Sequence, residues 1–362
     1  MKLRKAVLTG GGRATRLYPI TTTINKHLLP LANKPMIFHA IEKAVEAGVT
    51  EIFINTNPGE TELQKYIGDG GHWGVKITFF EQTGGPQGVA HIAKVAERFI
   101  GRDPFLFYFS DNVLLGNLKD MVDEFHRNRY DLMLAFSRVD NPEHFGIPLF
   151  DDQGKIQEIL EKPQNPPNNL AQTGIILYGP GVFFEAFNNI RKSARGEYEI
   201  SDVHSYLIKN NYRVGHREIT GWWKDTGQPR DILVANQLLL EHRPETEYTL
   251  RGDIHPNAKL SGQVQVGTGS QIGPGVTIRG PVIIAENCLL EDCAIGPHVT
   301  IGAGTEIRRA KIEHSIILDN CEIDADMYLK DSLIGKKARL VRKPELDSGR
   351  QMIMGDKTIV EV

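Results

Sequence analysis

Cysteine is scarce in this 362-residue chain: Cys288, Cys293 and Cys321, all in the last third. Their spacing carries no metal-ligand pattern, and they are expected as small buried residues of a reduced, cytoplasmic protein. No uncharged apolar run is long enough to span a bilayer, and Met1-Lys-Leu-Arg-Lys5 leads into a strand without the apolar core of a signal peptide. A soluble protein with no membrane partner is therefore expected. Basic charge is not in excess either. A formal net charge of −3 excludes the field that a nucleic-acid partner requires, so any bound polyanion must be a small ligand held locally. Nor does the chain show a Ser/His/Asp or Cys/His arrangement of the kind that builds a covalent nucleophile.

Glycine, by contrast, is concentrated at one informative place. Thr9-Gly10-Gly11-Gly12-Arg13-Ala14-Thr15-Arg16-Leu17-Tyr18-Pro19 follows the apolar run Ala6-Val7-Leu8, which reads as a first strand. Without Cβ atoms, Gly10 to Gly12 let backbone N–H groups close on a phosphate chain, while Arg16 supplies a fork of donors and Lys26 a point charge. A glycine cluster alone is often only a flexible turn. The Arg and Lys at fixed offsets on the same side of the strand favour an anion site.

Length favours two cores. From the start to about Arg243, strand-like runs alternate with helical patterns: Glu51–Asn55 then a helix over 58–67, Val75–Phe80 then 89–99, Phe105–Phe109 then 118–125. Such alternation predicts an α/β, Rossmann-like, mostly parallel mixed sheet, with ligands bound beyond the carboxyl ends of its strands. Past residue 130 the pattern becomes strands and short loops with one clear helix, 228–242. After a linker at 244–251 the chain changes character over 252–341. Apolar residues recur every six positions at Ile254, Leu260, Val266, Ile272, Ile278, Ile284 and Leu290; after a one-residue shift come Ile295, Ile301 and Ile307, then Ile312, and later Ile317, Ile323 and Leu329. That period predicts a hexapeptide-repeat β-helix whose stacked coils share one core. Its flat faces suit subunit packing, so a homo-oligomer is expected. The tail over 342–362 breaks the repeat and is a candidate cap for the last coil.

Several polar residues sit where a ligand would meet the sheet. Asp111, in Ser110-Asp111-Asn112, ends one strand, and Asp225, in Trp223-Lys224-Asp225-Thr226-Gly227, ends another short apolar segment. Each alone reads equally as a turn aspartate. Together with a triphosphate they make a reasonable Mg²⁺ site, because Mg²⁺ takes one or two carboxylates plus phosphate oxygens. Glu161-Lys162-Pro163 reads either as an exposed ion pair at a strand end or as a sugar-hydroxyl acceptor beside a phosphate-binding lysine. Gln82 before Gly84-Gly85 reads as a solvated turn residue or as an amide facing a base edge. Arg195-Gly-Glu197-Tyr-Glu199 before a capped helix is a secondary candidate.

In order along the chain, the glycine-rich run, Asn25-Lys26, Ser110-Asp111-Asn112, Phe145-Gly146, Glu161-Lys162-Pro163, Thr173-Gly174 and Trp223-Lys-Asp225-Thr-Gly227 resemble the sugar-1-phosphate nucleotidyltransferase family. The likeness is greatest to the long type of glucose-1-phosphate thymidylyltransferase, which appends a left-handed parallel β-helix, and it covers essentially the whole chain. The resemblance implies Mg²⁺-dependent transfer of a nucleoside monophosphate from dTTP or UTP to glucose 1-phosphate, releasing pyrophosphate. It further implies that Arg16 and Lys26 bind the triphosphate and that Asp111 and Asp225 hold Mg²⁺. Gly10, Gly11, Gly12, Arg13, Thr15, Gln82 and Gly88 would contact the nucleotide, and Gly146, Glu161, Lys162, Gln172 and Trp223 the sugar phosphate. Two positions depart from the family pattern: Ala14 and Ser110 each replace a usual glycine. If either backbone needs positive φ, the cost is about 1 kcal/mol.

Two other readings compete. Bifunctional relatives use the β-helix as an acetyltransferase acting on an amino sugar, which would give His255, His298 or His314 a role as base. Others are non-catalytic sugar-nucleotide-sensing subunits, but such proteins tend to lose metal and phosphate residues that this chain keeps.

Overall fold

The computed structural model describes residues 2–12, 14–82, 85, 87–219 and 221–342. The chain divides into two compact units, Met1–Arg243 and Pro244–Val362. In the first, β1 (Lys5–Leu8) leads to a small hairpin, β2 (Pro30–Leu31) and β3 (Lys34–Pro35), then α1 (Met36–Glu46), β4 (Glu51–Thr56) and α2 (Glu62–Ile67). There follow β5 (Lys76–Glu81), α3 (Val89–Val95), α4 (Glu97–Ile100), β6 (Phe105–Tyr108), β7 (Asn112–Leu114), α5 (Lys119–Asn128) and β8 (Leu132–Arg138). The remainder comprises β9 (Gly146–Phe150), β10 (Ile156–Glu161), β11 (Leu170–Tyr178), α6 (Val182–Asn189), α7 (Ile200–Lys209), β12 (Val214–Glu218), β13 (Trp223–Asp225) and α8 (Pro229–His242).

Seven of these strands form one sheet in the order β12-β8-β11-β6-β1-β4-β5. β4, β1 and β6 are mutually parallel, as are β4 with β5 and β8 with β12. β11 alone runs against its neighbours, β6 and β8. Strand side chains alternate between faces, and both faces are covered. Ala6, Leu8, Ile52, Ile54 and Leu106 join the core under α1, with its Ile37, Ala40, Ile41 and Ala44 at helical spacing. Val7, Phe53, Phe105 and Phe107 point the other way, into a core shared with α6 and α7. Burial on both sides explains why the central strands read as continuous apolar runs. The chain leaves β1 for β4 on one side and β6 lies on the other, which opens a crevice at the carboxyl end of β1.

The structure revises parts of the helix reading. The helix expected over 58–67 is confined to Glu62–Ile67, because the Asn57 amide bonds Glu60 and the Gly12 backbone instead of starting a helix. The one expected over 89–99 divides at Ala96. Beyond residue 130 the described residues form α6 and α7 besides the one clear helix expected at 228–242, α7 being the helix read after Glu199. α6 buries Val182, Phe183, Phe184, Ala186 and Phe187, so its run lacks the polar stripe that marks a surface helix.

The second unit is a parallel β-helix. Its register stacks three aliphatic columns: Ile254, Ile272, Leu290, Ile307, Ile323 and Leu340; Leu260, Ile278, Ile295, Ile312 and Leu329; and Val266, Ile284, Ile301, Ile317 and Ile334. Most of these side chains are buried, each contributing about 1.5–3 kcal/mol of burial free energy. Five-residue steps fall at two corners: Ile312 to Ile317 and Leu329 to Ile334 at one, and Leu290 to Ile295 and Ile307 to Ile312 at the other. There the strand Glu306–Glu313 runs on without a break, pairing with both Leu289–Glu291 and Ala294–Ile295. Cys288, Cys293 and Cys321 are buried free thiols, and burial pushes the Cys293 thiol up to about 12. Leu250, in the stretch expected as a linker, bridges to Val266 and so joins the first coil. The proposed cap at 342–362 lies, from residue 343 on, outside the described residues.

Candidate active site

The loop after β1 is held from below by asparagines. Gly10 N–H donates to Asn55 Oδ1 at 2.9 Å, Gly12 N–H donates to Asn57 Oδ1 at 2.8 Å, and Asn25 Nδ2 donates to Gly10 O at 2.9 Å. Of the three glycine N–H groups expected to cradle phosphate, Gly11 is therefore the one left without a protein partner among the described residues. A Cβ on Gly10 would stand 2.5 Å from Asn55 O, and one on Gly11 2.8 Å from Asn55 Nδ2, so close approach requires glycine at both. Arg13 lies outside the described residues. Ala14 adopts the left-handed conformation, φ 43 and ψ 43, so the departure from glycine carries the backbone cost anticipated for it. Ser110 does not have positive φ; its added hydroxyl is instead buried without a hydrogen-bond partner among the described residues.

The two candidate metal carboxylates come from paired strands, Asp225 standing opposite Asn112 in the β13–β7 ladder. Thr226 N and Oγ1 both donate to the Asp111 backbone oxygen, at 3.0 and 2.8 Å. Lys26 Nζ reaches Asp111 Oδ2 at 2.7 Å, and Asn112 Nδ2 donates to Asp111 Oδ1 at 3.0 Å. Burial alone would raise the Asp111 carboxyl, but Lys26, His27 and these hydrogen bonds hold it down at about 2. Asp225 has the opposite fate. Burial, then repulsion from Asp111, lift it to about 7, and its carboxylate has no hydrogen-bond or ion-pair partner among the described residues. Arg16 lies on this side of the site: a Cβ on Gly227 would be 3.3 Å from Asp225 Oδ2 and 3.8 Å from Arg16 Nη1.

Two cavities meet at Asp111. One, of about 330 Å³, is lined by Gly11, Gly12, Lys26, Asn55, Gln82, Gly88 and Asp111. The other, of about 240 Å³, is lined by Asp111, Gly146, Glu161, Lys162, Gln172, Arg195, Trp223 and Asp225. A larger polar recess of about 1030 Å³ adjoins the second and contains Arg16, Lys162, Arg195 and Asp225. Thr15, in a short 3-10 turn, lines none of the three.

In the first cavity Gln82 Oε1 accepts from Asn55 Nδ2 at 3.3 Å, and Gly88 (φ 94) sits where a Cβ would strike the Tyr198 backbone at 2.5 Å. In the second, β9 and β10 form a two-stranded arm that carries Gly146 and Glu161, with Lys162 just beyond. Lys162 also takes a left-handed backbone, φ 47, anchored by its N–H to Phe145 O at 3.0 Å. Glu161 Oε1 lies 3.3 Å from both Lys162 Nζ and Arg195 Nη2, and Glu199 holds Arg195 at 2.9 Å. Trp223 is mostly buried, and its Nε1 donates to Asn112 Oδ1 at 2.9 Å.

Sequence reasoning missed the supporting asparagines. Asn55 breaks the apolar run of β4 at its carboxyl end, and that break was the available signal. Asn112 accepts from both Gly174 N and Trp223 Nε1, a convergence of three segments that spacing alone does not carry. Arg195 moves from secondary candidate to a cation facing the second cavity.

The fold and this pair of anion-suited cavities define a class, and comparison with known proteins gives the same one. The family model described as nucleotidyl transferase matches residues 5–242, and a GMPPB C-terminal domain model matches 280–361. The chain is 38% identical over 357 residues to the low-salt glycan biosynthesis nucleotidyltransferase Agl11 of Haloferax volcanii, covering 98% of this chain and 99% of that protein. It is 33% identical over 358 residues to a glucose-1-phosphate thymidylyltransferase of Streptomyces griseus, with 99% of each covered. Bifunctional GlmU of Methanocaldococcus jannaschii is 32% identical over 349 residues, covering 91% of this chain and 77% of that protein. A Bacillus anthracis crystal structure with sucrose, of a candidate glucose-1-phosphate thymidylyltransferase, superposes with a TM-score of 0.61 at 35% identity, over 65% of this chain and 94% of that one. The chain belongs to the nucleotidyl transferase family. Within it, the protein is a sugar-1-phosphate nucleotidyltransferase.

Proposed function

We propose that the protein transfers a nucleoside monophosphate from dTTP or UTP to glucose 1-phosphate, giving the nucleoside diphosphate glucose and pyrophosphate. The observation that carries this is the meeting of two anion-suited cavities at Asp111, one beside the glycine loop and the other beside Lys162 and Arg195. A phosphate oxygen of the sugar 1-phosphate attacks the α-phosphorus, and the bond from that phosphorus to the pyrophosphate oxygen breaks. The nucleophile is already an anion near neutral pH, so no general base is required. What the reaction needs is alignment of two polyanions and neutralisation of their charge. On this reading Lys162 and Arg195 hold the sugar phosphate, Lys26 and the free Gly11 N–H meet the triphosphate, and Arg16 neutralises charge on the Asp225 side.

Asp111 and Asp225 suit Mg²⁺ as the only two protein ligands. Among the described residues no cluster of three or more His, Cys, Asp or Glu side chains forms a self-sufficient metal cage. A buried pair whose second member lacks a partner is a donor set that favours a dication completed by phosphate oxygens. When bound there, Mg²⁺ would supply charge neutralisation and orientation of the phosphates.

With Gln82 Oε1 engaged by Asn55, the Gln82 amide nitrogen has no hydrogen-bond partner among the described residues and can donate to a pyrimidine carbonyl. It meets the same imide edge in thymine and uracil, and the methyl that distinguishes them is worth only about 1–3 kcal/mol. The name of the Streptomyces griseus relative favours dTTP and glucose 1-phosphate. Pyrophosphate release measured for each nucleoside triphosphate against glucose, galactose, mannose and N-acetylglucosamine 1-phosphates tests the assignment. The highest kcat/KM is expected for glucose 1-phosphate with dTTP or UTP, and a preference for ATP or GTP would overturn it. The GlmU relative prompts one further arm: no acetyl-CoA consumption is expected. The β-helix is proposed as a subunit-packing element, for which light scattering should give a mass above that of one chain.

A further inference from the structure

A buried chain of hydrogen bonds runs from the core to the wall of the second cavity. β11 carries Gln172 and Tyr178, and α7 lays His204 against both. His204 Nδ1 is 2.9 Å from Gln172 Oε1, and His204 Nε2 is 2.6 Å from the Tyr178 hydroxyl. Tyr178 and His204 have no exposed surface, and nucleotidyl transfer as described above uses neither. Burial pushes the imidazole down to about 3 and the phenol well above its ordinary range. Both are therefore neutral near pH 7.

A neutral imidazole has one N–H and one lone pair, and a phenol has one proton to give. The Tyr178 ring stacks on Phe105 at 5.1 Å and meets Phe183 edge-on at 5.0 Å. Its hydroxyl has His204 Nε2 as its one hydrogen-bond partner among the described residues. Were Nε2 protonated, the phenol oxygen would have to accept, and its own proton would be stranded among aromatic rings. Stranding a buried donor is strongly unfavourable. Tyr178 therefore donates to Nε2, the His204 proton sits on Nδ1, and Nδ1–H donates to Gln172 Oε1. The amide is left with its NH₂ group for the cavity. Beside it stands an acceptor: a Cβ on Gly146 would lie 3.7 Å from both Gln172 Cβ and Glu161 Oε2.

We propose that Tyr178 and His204 are positioning residues for the sugar subsite. They lock Gln172 as a donor beside the Glu161 acceptor, so that the subsite selects a sugar hydroxyl, a group able to accept from one and donate to the other. The sugar part of this assignment rests on the function proposed above; the lock on Gln172 does not.

Two measurements on the full chain separate them. Long-range ¹H–¹⁵N correlation on protein labelled at histidine, with His204 assigned by its loss in His204→Gln, reads the tautomer directly. Nδ1–H is expected, and Nε2–H would overturn the lock. Kinetics with dTTP, Mg²⁺ and glucose 1-phosphate or its 2-deoxy, 3-deoxy and 4-deoxy analogues reads the selection. One analogue should lose roughly ten- to hundredfold in kcat/KM, the range for a hydrogen bond lost against charged or buried groups. Gln172→Leu should shrink that penalty to what the Glu161 contact alone sustains, and Tyr178→Phe should shrink it at least about threefold while the KM for dTTP stays within about twofold. Undiminished discrimination in Tyr178→Phe would contradict the positioning role. Absence of turnover with every sugar 1-phosphate would instead sink the function and the sugar assignment with it, and the tautomer would still decide the lock.

Discussion

Left-handed backbone occurs in both units at residues that carry a Cβ, and its placement differs. In the β-helix it marks corners. Asn287, Asn320 and Lys337, with Gly269 and Gly304, have positive φ about one coil apart, and the Asn287 and Asn320 amides would obstruct a Cβ on the glycine of the preceding coil. The conformation there belongs to the architecture and recurs with it. In the α/β unit Ala32 and Asn33 make the two-residue turn between β2 and β3, Arg129 caps α5, and Asn211 follows α7. Among the described residues that leaves Lys162, just after β10, and Ala14, which precedes the 3-10 turn Thr15–Leu17, and both stand at the candidate site. A residue held left-handed costs about 1–2 kcal/mol. Where no repeat or helix C-terminus demands it, such a cost motivates the role proposed for the residue at the site.

The same contrast orders the expected effects of mutation. Asp111→Asn and Lys162→Ala should each lower kcat for pyrophosphate release by about 10²–10³-fold or more, with circular dichroism unchanged. Full turnover in either would erase the distinction between the units. Ile301→Ala, in the middle of an aliphatic column, should cost about 2–5 kcal/mol in denaturant unfolding of its unit. Activity per folded molecule should persist. Smallest is the backbone effect. Ala14→Gly should gain about 1 kcal/mol of stability, whereas Asn320→Gly at a corner should change it by less than about 0.5 kcal/mol, since asparagine tolerates this conformation. Equal responses in thermal melts would mean that Ala14 is an ordinary turn.

Legibility in the sequence followed the same division. The aliphatic columns could be traced from Ile254 to Leu329 because every coil repeats one rule, and even the shift at Leu290 has a physical counterpart in the unbroken strand Glu306–Glu313. Alternating strands and helices carried the α/β unit as far as residue 130. There the pattern failed over α6, whose aromatic burial hides its period. At the site, Asp111, Lys162 and Asp225 stood out as charged residues at strand ends, but what holds them did not. Asn55, Asn112 and His204 act through contacts between segments distant in sequence, and no local pattern records which carboxylate is neutralised by Lys26 and which is left to titrate.

That asymmetry is the central claim: Asp111 is already ionised against Lys26, while Asp225, lifted to about 7, is only about half ionised at neutral pH, and a dication bound there would expel the remaining proton. With its folded pKa raised from an ordinary 3.8 to about 7, Asp225 favours the folded state below about pH 4 and loses that contribution as pH rises through 7. Mg²⁺ binding with dTTP should reverse the loss by expelling the proton. Calorimetric titration at pH 7 in buffers of different ionisation enthalpy counts that proton directly. The account predicts release of about half a proton on binding, absent in Asp225→Asn. Metal binding without proton release in the unmodified protein, or equal release in Asp225→Asn, would contradict it.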